Sequence, residues 1–338
     1  MELHCNNPAH RGHMIGSTGR LFCAALLFVA SSALALAQTN SGYPDKSVRV
    51  VVGQSPGGAT DIVARSIAQK LGKIYGQNFL VDNRTGAAGS IGAAYVAKST
   101  PDGYNVLVVS SSHAINPSLY KNLPFHPVND FAPVGLIAEA PFLLVVHPSM
   151  PVHSVKELIT LAKAHPGELN FASGGIGSSG HLAGELFKYL AGIQLVHVPY
   201  KGAGLALVDV ISGQVQMTFG SVISTLAHVE SKKLRAIAVT SAKRSSALPE
   251  IPTVAEAGVK GYKRTTWYGM LAPAGTPPAL VNKLSGGIKK AVQSNDIKQH
   301  FLTDGAEPKG SSPAEFREFL VSEIASAKAI IEKAHVER

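Results

Sequence analysis

"NFASGGIGSSGHLAGELF" (Asn170–Phe187) contains Gly175-Ile176-Gly177-Ser178-Ser179-Gly180, which fits the G-x-G-x-x-G spacing of a dinucleotide-binding loop. A short apolar run precedes the glycines and a helical pattern follows, so the stretch reads as a joint between strand and helix. Such a joint has a plain physical use, because the unpaired N–H groups at a helix start hold an anion. A dinucleotide also needs an acidic residue at the end of the next strand for its ribose hydroxyls. That strand runs Val196-His197-Val198-Pro199-Tyr200-Lys201 and has none. A serine-hydrolase elbow fails as well, since Gly177-Ser178-Ser179-Gly180-His181 puts His181 where the second glycine belongs. A carboxylate held by Ser178, Ser179, Gly180 and the helix start fits the stretch; a plain turn is the alternative.

The same joint recurs along the chain. "SVRVVV" (Ser47–Val52) leads through Ser55-Pro56-Gly57-Gly58 into a helical pattern of Ile62, Val63, Ile67, Leu71 and Ile74, with Thr60 or Asp61 as cap. A second strand passes through Asn83-Arg84-Thr85-Gly86 and Ala87 into a small-residue helix. A third, Tyr104–Val109, runs straight into Ser110-Ser111-Ser112. Pro199-Tyr200-Lys201-Gly202 and Gly220-Ser221 complete the set. Strands alternating with helices predict an α/β protein with parallel-rich sheets and helices on both faces. Ligands of such sheets lie beyond the carboxyl ends of the strands, where these turns gather. Gly57 and Gly58 let backbone approach a ligand closely. Asp61 either caps its helix or faces the ligand, and Lys201 either supplies a counter-charge or is solvated.

Two long stretches differ from the joints. "DFAPVGLIAEAPFLLVV" (Asp130–Val146) and "TWYGMLAPAGTPPALVNKL" (Thr266–Leu284) bracket the middle third and read as crossings between two lobes, with a cleft between. The expected division is residues 43–139 with 265–338 in one lobe and 140–264 in the other. The C-terminal stretch, with a Ser-x-x-Glu helix start, is expected to pack back on the first lobe.

Arg11, Arg20, the apolar run "LFCAALLFVASSALALA" and the small-x-small close at Ala35-Leu36-Ala37 read as a signal peptide over residues 1–37, with Met14 an alternative start. A membrane anchor wants about 18–20 unbroken apolar residues and suits the stretch less well. Both cysteines, Cys5 and Cys23, leave with this leader, which excludes disulfides and thiolate chemistry from the mature protein. The net charge of +9 loses two arginines and one glutamate, leaving +8. The largest basic clusters are the pairs Lys232-Lys233 and Lys289-Lys290, so no nucleic-acid-binding stripe is present. Beyond the leader no histidine stands in an H-x-H or H-x-x-x-H arrangement, and neither a metal site nor a cofactor is expected.

"YPDKSVRVVVGQSPGGATDIVAR", "VDNRTGAAGSIGAAYVAKSTPDGY", "HVPYKGAGLAL", "LRAIAVTSAKRS", "IPTVAEAG" and "WYGMLAPAGTP" together resemble the Bug family of extracytoplasmic solute receptors, from about Tyr43 almost to the C-terminus. The resemblance implies a two-lobed periplasmic binding protein of type II-like fold, with two crossing strands as hinge. It implies a monomeric, non-enzymatic periplasmic receptor that closes on a small carboxylate and delivers it to the membrane subunits of a tripartite tricarboxylate transporter. The ligand-binding candidates are Ser55, Gly57, Gly58, Thr60, Asp61, Gly86, Ala87, Ser110, Ser111, Ser112, Ser178, Ser179, Gly180, Tyr200, Lys201, Gly202 and Ser221. Gly220-Ser221 departs from the family pattern, where many relatives place Asp or Asn, which bears on the identity of the solute. The alternatives are an exported hydrolase using Ser179 or Ser111 with a histidine, and a receptor that signals to a sensor kinase.

Overall fold

The joints read from the sequence become strand, turn and helix in the computed structural model, which describes residues 42–336 together with Met1, Glu2 and His4. The leader expected over residues 1–37 lies almost wholly outside the described residues. β1 (Val48–Val52), β2 (Phe79–Asn83) and β3 (Asn105–Ser110) run parallel in the order β2-β1-β3. β5 (Asn170–Ser173), β6 (Val196–Pro199) and β7 (Met217–Ser221) repeat the arrangement as β6-β5-β7. Helices return the chain between these strands: Ala59–Tyr75 and Ser90–Ala97 in the first trio, Ser179–Ala191 and Ala203–Ile211 in the second. Parallel pairing requires such crossovers, and it brings the carboxyl ends of each trio to one edge.

Two long strands link the trios. β4 (Phe131–Val146) pairs antiparallel with β9 (Thr265–Pro273) along residues 131–141, then with β7 and β8 (Arg235–Val239) along residues 142–146. Pro141 sits at this change of partners, and the register shifts beside Pro133, which is how a strand with two prolines survives inside a sheet. Pairing is parallel within each trio and antiparallel wherever β4 or β9 takes part. The expectation of parallel-rich sheets is thus met in the trios, while the crossing strands make the whole sheet mixed.

The helix Ala59–Tyr75 buries Val63, Ile67 and Leu71 and ends on Gly76, whose left-handed backbone (φ 69°) lets its N–H reach the Gly72 carbonyl. At the other end of the chain, Ser312 caps the helix Pro313–Lys333. Its hydroxyl accepts from the Glu315 N–H while the Glu315 carboxylate accepts from the Ser312 N–H, the reciprocal pair expected from the sequence. Phe316 and Leu320 of that helix pack with Trp267 of β9, whose indole N–H donates to Glu323 at 2.9 Å. Farther along, Ala327 and Ile331 share a cluster with Ile115, Leu119 and Leu182. The C-terminal helix therefore reaches beyond the first trio to the helix of the glycine-rich joint.

Candidate functional site

Five helices begin around one cavity of about 70 Å³. Gly58, Ala59 and Thr60 bring the start of Ala59–Tyr75 to it, and Ser110 and Ser112 that of Ser112–Leu119. Ser178, Ser179 and Gly180 bring the glycine-rich joint. Ala203 opens the helix Ala203–Ile211, and Ser221 precedes Val222–Glu230. All five lie at the carboxyl ends of β1, β3, β5, β6 and β7, as the topology demands. Ser178 caps its helix by accepting from the His181 N–H, whereas Gly58, Ser111, Gly202 and Ser221 provide no side-chain cap. The Asp61 and Ala114 N–H groups donate to the Gly58 and Ser111 carbonyls, and the earlier first-turn N–H groups of those four helices are left for a ligand or water.

None of the side chains lining the cavity carries a charge. The only phenol among them, Tyr268, is kept protonated by burial and donates to the Ser221 hydroxyl at 2.8 Å. Positive potential at the cavity therefore comes from helix starts, each worth roughly half an elementary charge, rather than from lysine or arginine. Hydroxyls tie the two sides together. Ser111 donates to Ser179 at 2.7 Å and bonds Thr266 at 3.0 Å, and Ser112 accepts from the Ser179 N–H at 3.2 Å.

Of the candidates, Gly58, Thr60, Ser110, Ser112, Ser178, Ser179, Gly180 and Ser221 line this cavity. Gly86, Ala87, Tyr200 and Lys201 line a neighbouring chamber of about 200 Å³ instead. Five candidates, Ser55, Gly57, Asp61, Ser111 and Gly202, line neither. Ser111 is fully buried and turns its hydroxyl to Ser179 and Thr266, so it braces the wall rather than fronting the cavity. Asp61 is buried with its carboxylate accepting from Gly57 N–H, Arg65 Nε and Asn83 Nδ2 at 2.9–3.0 Å. Burial raises its pKa, but those bonds outweigh burial and hold it below the usual carboxylate range. Its role is to fasten the turn, and the Gly57 N–H is consumed in doing so. Ser55 and Gly202 face each other: a Cβ on Gly202 would meet the Ser55 Oγ at 2.2 Å, so the two loops touch where a ligand was expected.

The sequence reading missed Phe142, Thr266 and Tyr268, which line the cavity from β4 and β9. Their only signal was membership of the crossing strands, which pass between the two sets of joints. Ser173, Gly174 and Thr218 were also missed, one or two residues outside turns that were recognised, as was Thr225, one helical turn past Ser221.

Behind the glycine-rich joint, His181 and His197 stack with ring centroids 4.0 Å apart. His181 Nδ1 accepts from the Gly177 N–H, and His197 Nε2 lies 2.6 Å from Ser173 Oγ. Burial, followed by the charges nearby, lowers their pKa values to about 3 and about 4, so both rings are neutral supports of the loop. Neither Ser111 nor Ser179 is hydrogen-bonded to a histidine; each bonds other hydroxyls, an arrangement that gives neither serine a base. Among the described residues no group of three or more His, Cys, Asp or Glu is placed to hold a metal.

The family model for the tripartite tricarboxylate transporter family receptor matches residues 63–336. Among solved structures, the chain is similar to Rpa4515 of R. palustris with adipate: 39% identity and a TM-score of 0.85, over 87% of this chain and 99% of that one. It is similar to the periplasmic binding protein BugD at 34% identity and a TM-score of 0.85, over 87% and 99% of the two chains. MatC from Rhodopseudomonas palustris, solved with bound malate, shows 30% identity and a TM-score of 0.82 over 86% of this chain and 100% of that one. The arrangement of two trios, two crossing strands and covering helices is the two-lobed periplasmic-binding fold implied by the motifs. Since the family model matches residues 63–336 and these solved relatives cover 86–87% of this chain at 30–39% identity, the protein belongs to the tripartite tricarboxylate transporter receptor family, the family of the Bug proteins.

Proposed function

We propose that this protein captures a small carboxylate in the cavity and delivers it to the membrane subunits of a tripartite tricarboxylate transporter. On this reading residues 43–139 with 265–338 form one lobe and 140–264 the other, and the leader 1–37 exports the chain to the periplasm. The observation that carries the reading is the convergence of five helix starts, four without side-chain caps, on a cavity lined by hydroxyls and no charged side chain. A carboxylate suits such a cavity, because backbone N–H and serine O–H groups all donate to it and charge-assisted hydrogen bonds are the stronger kind. The small volume favours a compact solute, and a dinucleotide is far too large for it. No helix among the described residues is long and apolar enough to cross a membrane.

Thermal melts with a panel of mono-, di- and tricarboxylates test the reading. A ligand at a hundred times its dissociation constant stabilises the folded protein by about 2.7 kcal/mol. At roughly 2–4 °C per kcal/mol the expected shift is about 5–11 °C. Nicotinamide dinucleotides are expected to give none. A shift with dinucleotides and none with any carboxylate would reverse the conclusion.

Ser179→Ala is expected to weaken binding of the same carboxylate by about tenfold to a hundredfold, the equivalent of roughly 1.5–3 kcal/mol for a hydrogen bond to a charged group. Isothermal titration reads this directly. Unchanged affinity would place the solute away from the glycine-rich joint.

A further inference from the structure

The cavity and the neighbouring chamber share three lining residues, Gln54, Ala88 and Gly174, one from each of three loops. Ala88 is the unusual member. Its backbone lies in the left-handed region (φ 50°, ψ 33°), between Ala87 at φ 46° and Gly89 at φ 97°. Glycine adopts this conformation freely, whereas a Cβ there crowds the backbone. The chain thus carries a methyl group at a position where its own backbone favours none, and that methyl belongs to a residue fronting both spaces. Such an outlier points from strain to function.

The surroundings hold the methyl in place. Asn116 Nδ2 donates to the Ala88 carbonyl at 3.3 Å and to Ser90 Oγ at 2.9 Å. The loop also lies backbone to backbone on the end of β1: a Cβ on Gly53 would stand 2.5 Å from Gly89 Cα. On the opposite side Gly174 is pinned in the same way, with an added Cβ 2.8 Å from the Ala203 nitrogen. Gln54 closes the wall with a side chain whose Oε1 is buried and accepts no hydrogen bond. The two spaces differ in chemistry. The inner one is lined by uncharged groups and helix starts, while the outer one is lined in part by Lys201, Tyr200 and Tyr120.

We propose that Ala88 and Gln54 form a neck that sets the length of dicarboxylate the protein accepts. One carboxylate occupies the inner cavity, the carbon chain passes the neck, and the second carboxylate lies in the outer chamber with Lys201. Ala88 and Gln54 are then specificity-determining residues, and the inference rests on the carboxylate reading given above.

The test is isothermal titration of unbranched α,ω-dicarboxylates from malonate to suberate against the wild type, Ala88→Gly and Gln54→Ala. One methylene in a fitted apolar passage is worth about 10–200-fold in selectivity. Ala88→Gly is therefore expected to move the preferred length upward and to raise affinity for the longest members at least about tenfold relative to the shortest. Gln54→Ala is expected to move it in the same direction from the other side of the neck. Ala88→Gly should melt no lower than the wild type, because glycine fits the left-handed backbone. A length profile that is the same in all three proteins overturns the neck and leaves the carboxylate reading standing. Failure of every member to bind a wild type that another carboxylate stabilises overturns the neck alone, and failure of the whole panel of mono-, di- and tricarboxylates overturns both.

Discussion

Gly204→Ala is expected to leave the protein folded and to weaken its affinity for solute by about fivefold to 150-fold. Gly204 is the second residue of the helix Ala203–Ile211 and does not need a left-handed backbone, so alanine is acceptable to the helix itself. In this structure, however, the added methyl would stand 2.4 Å from the Pro56 carbonyl oxygen and 3.1 Å from the Gly58 nitrogen. Both neighbours are backbone and cannot swing aside. Overpacking of this kind costs about 1–3 kcal/mol, which sets the range in affinity. The clash exists only while the loops Ser55–Gly58 and Gly202–Gly204 are together. With the proposed lobes apart, the methyl meets solvent. The whole cost therefore falls on the closed form, and a solute that binds the closed form inherits it. Gly286→Ala is the control, because a Cβ there meets nothing within 4 Å. Equal affinity in both variants, with equal melting temperatures, would mean that these loops do not part and meet around the solute.

Acid is expected to destabilise the protein steeply well above the pH at which carboxylates titrate. Burial lowers the pKa of His113 to about 4, of His181 to about 3 and of His197 to about 4. His113 is held neutral between Phe125 and Phe131, with Nε2–H donating to the Pro127 carbonyl. The folded rings stay unprotonated while the same rings in the unfolded chain take up protons below about pH 6.5. Stability is thus complete above about 6.5 and is lost as pH falls toward 4. Each fully buried ring contributes a slope approaching about 1.4 kcal/mol per pH unit. His197 is the least buried of the three and contributes less. Together they remove about 3–5 kcal/mol between pH 6.5 and 5, a large share of an ordinary folding stability of about 5–15 kcal/mol. Urea unfolding at a series of pH values measures the slope, and His113→Gln should reduce it by about a third. A stability that is flat between pH 7 and 5 would show that the buried rings accept protons without unfolding.

The class of the fold was legible because its signals are local. Helical spacing in Ile62, Val63, Ile67, Leu71 and Ile74 and the short β-branched runs each depend on a few neighbouring residues. The gathering of the turns was legible for a topological reason: parallel strands joined by helices must bring their carboxyl ends to one edge. The sequence by itself therefore determined an α/β chain with polar, glycine-bearing joints at a common site, and its lack of an acidic residue after Val198 argued against a dinucleotide.

Only the tertiary structure decided which residue of each joint faces inward. Ser111 and Ser112 are neighbours of one type, yet Ser112 lines the cavity and Ser111 is buried behind it, because the chain turns there from strand to helix. Asp61 was drawn away by Arg65 and Asn83, the second of them 22 positions distant along the chain. Thr266 and Tyr268 came to the cavity through a strand whose partners, β3 and β4, lie more than a hundred residues earlier. The physical reason is common to all three cases. Periodicity and turn chemistry act over a few residues, whereas the direction of a side chain at the end of an element is set by what packs against it, and those partners are distant in the sequence.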